Sequence, residues 1–185
     1  RDTPTANSLP WFAAGGRQNI TIRLLLTHYS GLAPDLPLDT PWQGRAQAIR
    51  LLADTRPVNP PGARFVYSDI NFITLGLIVE KLTGMPLADY ASRHILAPLG
   101  LRQSFFTPAA GLRGRIAPTQ YDENGHLLRG VVHDPTARRM GGVAGHAGPV
   151  SFPDDLVRPP QAPPAKPVCP PTPFPLQTDT ICPTA

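Results

Sequence analysis

The sequence predicts a mostly α-helical unit that carries one short β-hairpin and ends in a proline-rich tail. Three observations predict it. Apolar residues recur at helical spacing in four segments between residues 21 and 100, and Asn124-Gly125 is flanked by two short segments of the β type. The 25 prolines of the 185 residues are crowded toward the C-terminus, so two kinds of chain are joined in one sequence.

Asp2 to Gly16 reads as irregular, with Leu9, Pro10, Trp11 and Phe12 as an apolar anchor. Thr21 is a good N-cap for a helix over Ile22 to Tyr29, ended by Ser30-Gly31; its Leu24-Leu25-Leu26 run reads as core. A second helix is expected over Arg45 to Asp54, with Ala48, Ile49, Leu52 and Ala53 inward and Pro57, Pro60 and Pro61 blocking extension. The third is capped by Ser68 or Asp69, carries the stripe Ile70, Ile73, Leu77, Ile78 and Leu82, and stops at Gly84. Pro86 opens a fourth, with Leu87, Tyr90, Ala91 and Ile95 inward and Pro98-Leu99-Gly100 at its end.

Beyond Ile116 the period changes. Ala117 to Asp122 and His126 to His133 are expected to pair across Asn124-Gly125, whose residues tolerate the positive φ of a tight turn. The glycines of Gly141 to Gly148 point to tight turns or close backbone approach. From Pro149 the composition shifts. Residues 1–148 are therefore expected to form the domain and 149–185 a disordered or polyproline II tail, because the proline pairs leave too few aliphatics to offset chain entropy. Its PxxP spacings match those that SH3-like grooves bind, although a solvated tail is the plainer expectation.

A hydrophobic content of 41% is enough for one core. The net charge of +4 comes from scattered arginines with no basic block interleaved with aromatics, which argues against nucleic acid as a partner. No apolar run reaches the length of a membrane span, and the first residues carry no signal-peptide pattern. Cys169 and Cys182 have no metal or redox spacing.

The residues most suggestive of chemistry lie at Tyr67-Ser68-Asp69. Tyr67 stands just before a helix N-terminus, where backbone N–H groups and the dipole favour negative charge, the condition under which a phenol serves as a general base. The alternative is an aromatic that staples the helix start. His126, His133 and His146 with Asp134 show no HExxH or other short paired spacing, so they read as satisfied loop histidines, with no metal or cofactor expected. His28, Tyr29 and Ser30, on one helix, would not face one another, and Arg138-Arg139 reads as a solvated pair. The glycine run lacks the ending of a phosphate loop.

Ile20-Thr21-Ile22-Arg23-Leu24-Leu25-Leu26-Thr27-His28-Tyr29-Ser30-Gly31-Leu32 and Pro61-Gly62-Ala63-Arg64-Phe65-Val66-Tyr67-Ser68-Asp69 resemble two ordered motifs of β-lactamase-related serine hydrolases, the group of class C β-lactamases, D-alanyl-D-alanine carboxypeptidases and esterases. Gly76 to Glu80, Pro98 to Leu101, Val131 to Pro135 and Gly142 to Gly148 continue the resemblance in order. It implies a truncated α/β, β-lactamase/transpeptidase-like fold, of which this chain is mainly the helical part. It also implies acyl transfer from an ester, amide or β-lactam small molecule to water, and a protein of a type often exported. Tyr67 then takes the role of the catalytic tyrosine, with Ser68 and Asp69 on the substrate side; Asp69 stands where Asn is commoner, and an ionised Asp repels a carbonyl oxygen that an amide would donate to.

The rest of the machinery has no counterpart. The two lysines, Lys81 and Lys166, follow Ile78 and Pro163 by three places, so no Ser-x-x-Lys occurs. Lys81-Leu82-Thr83-Gly84 is not Lys-Thr-Gly, and His146-Ala147-Gly148 comes too early to be its degenerate form. The expectation is a fragment, with a reading frame altered after residue 148, that is inactive alone. A non-catalytic binding or interaction module is the alternative.

Overall fold

The computed structural model describes residues 2–122 and 124–157. Leu9, just before the 3-10 turn Pro10–Ala13, and Phe12 within it are buried as expected of the anchor. Helix α1 spans Ile22–Leu26, and its first turn is capped by Thr21, whose hydroxyl accepts from the Leu24 N–H at 3.3 Å. It stops three residues short of the expected end because His28 adopts φ 60°, outside the helical region. Of the three leucines, Leu25 is in the core and Leu26 is exposed, so that run is not uniformly core.

Helix α2 spans Arg45–Asp54 and buries Ala48 and Leu52. Its C-terminal carbonyls are met by a fully buried arginine. The Arg17 guanidinium donates to the carbonyls of Leu52 (2.9 Å), Ala53 (2.7 Å) and Thr55 (2.5 Å), and its Nε to Phe12 O, with the Phe12 ring 5.1 Å away.

Helix α3, Asp69–Thr83, is the centre of the molecule. Ile70, Ile73, Leu77 and Ile78 are buried as the stripe predicts, but so are Asn71, Thr74 and Gly76, so the helix is covered on more than one side. Leu82, assigned to the stripe, is 70% exposed, because the last turn runs past the core. Gly84 closes the helix in the left-handed conformation. Helix α4, Leu87–Ala91, continues as a π-helical turn over Ser92–Leu96, and only Ala91 of its expected face is buried; Ile95 is exposed. Glu80 ties three helices together by pairing with Arg45 and accepting from the Leu87 N–H.

The expected two-stranded hairpin is reduced to a single antiparallel bridge between Tyr121 and Leu127, and no longer strand is present among the described residues. Gly125 alone takes positive φ; Asn124 does not, and the Asp122 carboxylate instead accepts from the N–H groups of Asn124 and His126. Two helices were not expected. Helix α5, Pro135–Arg139, is capped by Asp134. Its arginines are anchors rather than a solvated pair: Arg138 donates to His133 O, and Arg139 donates to Leu38 O and Thr40 O while lying over Trp42. Helix α6, Pro153–Val157, lies within the segment assigned to the tail. Val150 bridges to Phe105, and the buried Asp155 accepts from the Gln103 N–H and the Ser104 hydroxyl, so packed structure continues past residue 148 to 157. The composition changes at Pro149 before the fold does. The PxxP spacings, Cys169 and Cys182 lie outside the described residues. No single helix among the described residues is long and apolar enough to cross a membrane.

Candidate active site

The segment leading to Tyr67 lies along the exit of α1, with Gly62 N–H donating to Tyr29 O at 2.8 Å and Val66 N–H to His28 O at 2.9 Å. The next two residues are pinned to a different stretch. Ser68 is fully buried and its hydroxyl donates to Ala33 O at 2.6 Å, while the Asp69 N–H donates to Pro34 O at 2.6 Å. Ser68 is thus turned inward. Its side chain caps no α3 amide, which corrects the expectation that it caps the helix.

Tyr67, one residue earlier, is 62% exposed. Its ring rests on the His28 imidazole, centroids 4.6 Å apart. His28 is where the two chain segments meet. Its Nδ1 accepts from the Ser68 N–H at 3.1 Å and lies 3.3 Å from Asn71 Nδ2, which places the ring proton on Nε2. Phe65 and Phe72 flank the same ring. These contacts hold a non-glycine residue in the left-handed region at a cost of about 1–2 kcal/mol. Ser30 also reaches this cluster, donating to Asn71 Oδ1 at 2.6 Å. His28 and Ser30 therefore do converge, through Asn71, because the helix that would have kept them apart has already ended.

Behind Asp69 the fold gathers residues from across the sequence. Side-chain donor atoms of Asp69, Asp134 and His146 all lie within 4.8 Å of one another. His146 Nε2 is 2.8 Å from Asp134 Oδ1, with the imidazole only 3% exposed, and its Nδ1 is buried with no hydrogen-bond partner. His126 and His133 do behave as loop histidines, beside Asp122 and Gln120 respectively; His146 does not. Burial pushes the Asp134 carboxyl up, but the hydrogen bonds from His146 and the Ala137 N–H outweigh it and hold this carboxyl below its ordinary value. Asp69 goes the other way. Burial pushes it above the ordinary carboxylate range; His146 pulls it down, Asp35 and Asp134 push it further up, and no hydrogen bond among the described residues reaches its carboxylate.

The loop that carries His146 is set against α3 by two glycines. A Cβ on Gly145 would lie 2.9 Å from the Phe72 carbonyl carbon and 3.0 Å from Gly76 N, so only a bare backbone fits there. Asp134 also lines a groove of about 590 Å³ with Ile116, Thr119, His133, Ala147 and Phe152 among others.

The model of the Beta-lactamase family matches residues 2–159, and the chain belongs to that family. The match running to 159 agrees with the packing of α6 and is at odds with a frame altered after residue 148. The proposed D-alanyl-D-alanine carboxypeptidase of Escherichia coli (strain K12) is 32% identical over 84% of this chain and 42% of its own length. A relative of the same name from Salmonella schwarzengrund is 29% identical over 83% of this chain and 40% of its own. Among solved structures, a class C beta lactamase from Rhodobacter sphaeroides superposes with a TM-score of 0.65 at 24% identity, covering 84% of this chain and 42% of that one. The octameric penicillin-binding protein homologue from Pyrococcus abyssi gives 0.62 at 24%, covering 84% and 37%. The fold is thus the helical part of the β-lactamase/transpeptidase-like architecture, and the chain spans about two fifths of the length of the curated relatives it matches.

Proposed function

We propose that this chain supplies the tyrosine side of a serine acyl-transfer site acting on a small ester, amide or β-lactam. Tyr67 moves the proton to and from the attacking and leaving atoms, and Asp69 faces the substrate. Ser68 serves as an anchor. The observation that carries this reading is the placement of Tyr67: an exposed phenol ahead of α3, held by the His28 ring and by the buried hydrogen bonds of the next two residues. With no Ser-x-x-Lys in the sequence, the nucleophile is not among these residues, so the chain alone turns over neither nitrocefin nor p-nitrophenyl acetate. Tyr67-dependent turnover by the purified chain would overturn that.

The positive half of the proposal is tested in a chimera, with residues 2–157 replacing the matching segment of the Escherichia coli relative. Acyl-enzyme formation from a β-lactam, followed by mass spectrometry, is expected to slow about 100-fold or more in Tyr67→Phe with circular dichroism unchanged. An undiminished rate refutes the assignment. One observation favours a binding module as the second reading: Tyr29, Phe65 and Tyr67 form an exposed aromatic patch around His28. Reversible binding without any covalent adduct in the chimera would select it.

A further inference from the structure

Three separate elements bring Asp69, Asp134 and His146 together: the first residue of α3, the cap of α5 and the glycine loop. The charge there is unbalanced. Asp35 stands near Asp69 as a third carboxylate, already accepting from the Thr136 hydroxyl at 2.8 Å and the Leu36 N–H at 2.7 Å. Facing Asp69 are the imidazoles of His146 and His28, and Arg138 acts on Asp134. Two polar groups are left over. The Asp69 carboxylate receives no hydrogen bond among the described residues, and His146 Nδ1, in a side chain 97% withdrawn from solvent, has no partner. A water on the Asp69 carboxylate would leave the surplus negative charge in place. A cation held by Asp69, Asp134 and the His146 Nε2 that faces Asp134 offsets that charge and gives the Asp69 carboxylate a partner.

We propose that Asp69, Asp134 and His146 form a binding site for a divalent cation of the zinc type. Two carboxylate oxygens and one imidazole nitrogen are a donor set for late first-row ions; Mg²⁺ and Ca²⁺ take shells of oxygen alone. Zinc bonds to such donors at about 2.0–2.2 Å, so the three atoms must close in from their present spread of up to 4.8 Å. Asp69 is the side chain able to close, since no hydrogen bond holds its carboxylate. Three protein ligands leave the fourth position of a tetrahedral ion open. Asp69 is two residues from Tyr67 in the chain, and a cation on it would present to a substrate oxygen the positive field that a bare Asp69 denies it. This last consequence, and not the binding itself, rests on the acyl-transfer reading.

The test uses the full 185-residue chain with Cys169→Ser and Cys182→Ser, which removes thiols that would take zinc elsewhere. Titration with ZnCl₂ near neutral pH, read by calorimetry and by thermal unfolding, is expected to show one saturable site per chain and a raised Tm. Affinity is expected to fall by about ten-fold or more in Asp69→Asn and in His146→Gln, and to be at least as much weaker for MgCl₂. Asp69→Asn breaks no side-chain hydrogen bond, so its fold is a safe background even if His146→Gln fails to fold. Absence of saturable zinc binding overturns the proposal, as does equal affinity in Asp69→Asn, which would put the ion on exposed residues such as His126 or His133. Magnesium binding as tightly as zinc overturns the class of ion. Hydrolysis enters none of these readouts, so failure of the acyl-transfer reading leaves the result interpretable.

Discussion

Replacing Gly145 by Ala tests whether the glycine loop is what places His146. The added Cβ would sit 2.9 Å from the Phe72 carbonyl carbon and 3.0 Å from Gly76 N, with the Phe72 oxygen nearer still. Ordinary carbon contacts lie at about 3.5–4.0 Å, so relief requires a shift of about 1 Å. The central helix α3 is covered on more than one side and cannot move by that much; the loop can. His146 is the next residue, and its 2.8 Å hydrogen bond to Asp134 does not survive such a displacement. Overpacking of this kind costs about 1–3 kcal/mol, and loss of a charge-assisted hydrogen bond about 1.5–3 more, for a total of about 2.5–6 kcal/mol. In a domain of this size that is a fall in Tm of about 10 °C. Urea denaturation measures the free energy, and the His146 ring resonances report the bond. A loss below about 1 kcal/mol with the His146–Asp134 pair intact would refute the argument.

Three further outcomes follow from the same geometry. Arg17→Met, which keeps the apolar stem but withdraws the donors from the carbonyls ending α2, is expected to cost about 3 kcal/mol in chemical denaturation. Thr21→Ala, which deletes the α1 cap, should cost about 1 kcal/mol by the same measurement. With EDTA present, the two carboxylates should give opposite pH signatures in thermal unfolding. The carboxyl of Asp134 is lowered in the fold, so its stabilisation is present above the ordinary carboxylate range and lost as pH falls through the lowered value; Asp134→Asn should therefore flatten the acid limb. Asp69 is raised, so its favourable contribution is present in acid and lost as pH rises through the raised value; Asp69→Asn should raise Tm at neutral pH and not in acid.

Where a feature depends on neighbours in sequence it was legible, and where it depends on distant segments it was not. Helix α2 has the expected bounds, Arg45–Asp54, because its apolar spacing and the prolines after it are local signals. The end of α1 was not legible. The apolar run continues through Leu26, and what turns the chain at His28 is a set of contacts to Ser68 and Asn71, some forty residues away. Helix α5 did announce itself in Asp134-Pro135, an N-cap followed by proline at the first helical position, but five residues are too few to show a period. The exposure of Leu82 and Ile95 could not be read either, since periodicity marks a face without saying how far along the helix the core reaches. Of the candidate site, the place of Tyr67 just ahead of a helix start was legible from the cap and the apolar stripe that follow it. The cluster of Asp69, Asp134 and His146 was missed because its members lie in three motifs that become one site only when α3, α5 and the glycine loop meet.

The exposure of Tyr67 bears on which of its two sequence-based readings is the better. A tyrosine that staples a helix start gains its stabilisation by burying the ring against the first turn. Here the residues on which the ring depends are the buried ones: Ser68 and Asn71 are fully enclosed, His28 is partly so, and the phenol itself faces solvent. A ring left 62% exposed contributes little to packing, yet its backbone is fixed by hydrogen bonds on both sides, to His28 O at Val66 and to the His28 imidazole and Ala33 O at Ser68. Stability alone does not call for fixing so firmly a side chain that packs so little. Under the acyl-transfer proposal it is expected, because a group that must meet a second molecule in one orientation loses less conformational entropy on binding when the backbone beneath it is fixed in advance. The strained φ of His28 fits the same reasoning, since its cost is borne at the residue that orients the phenol.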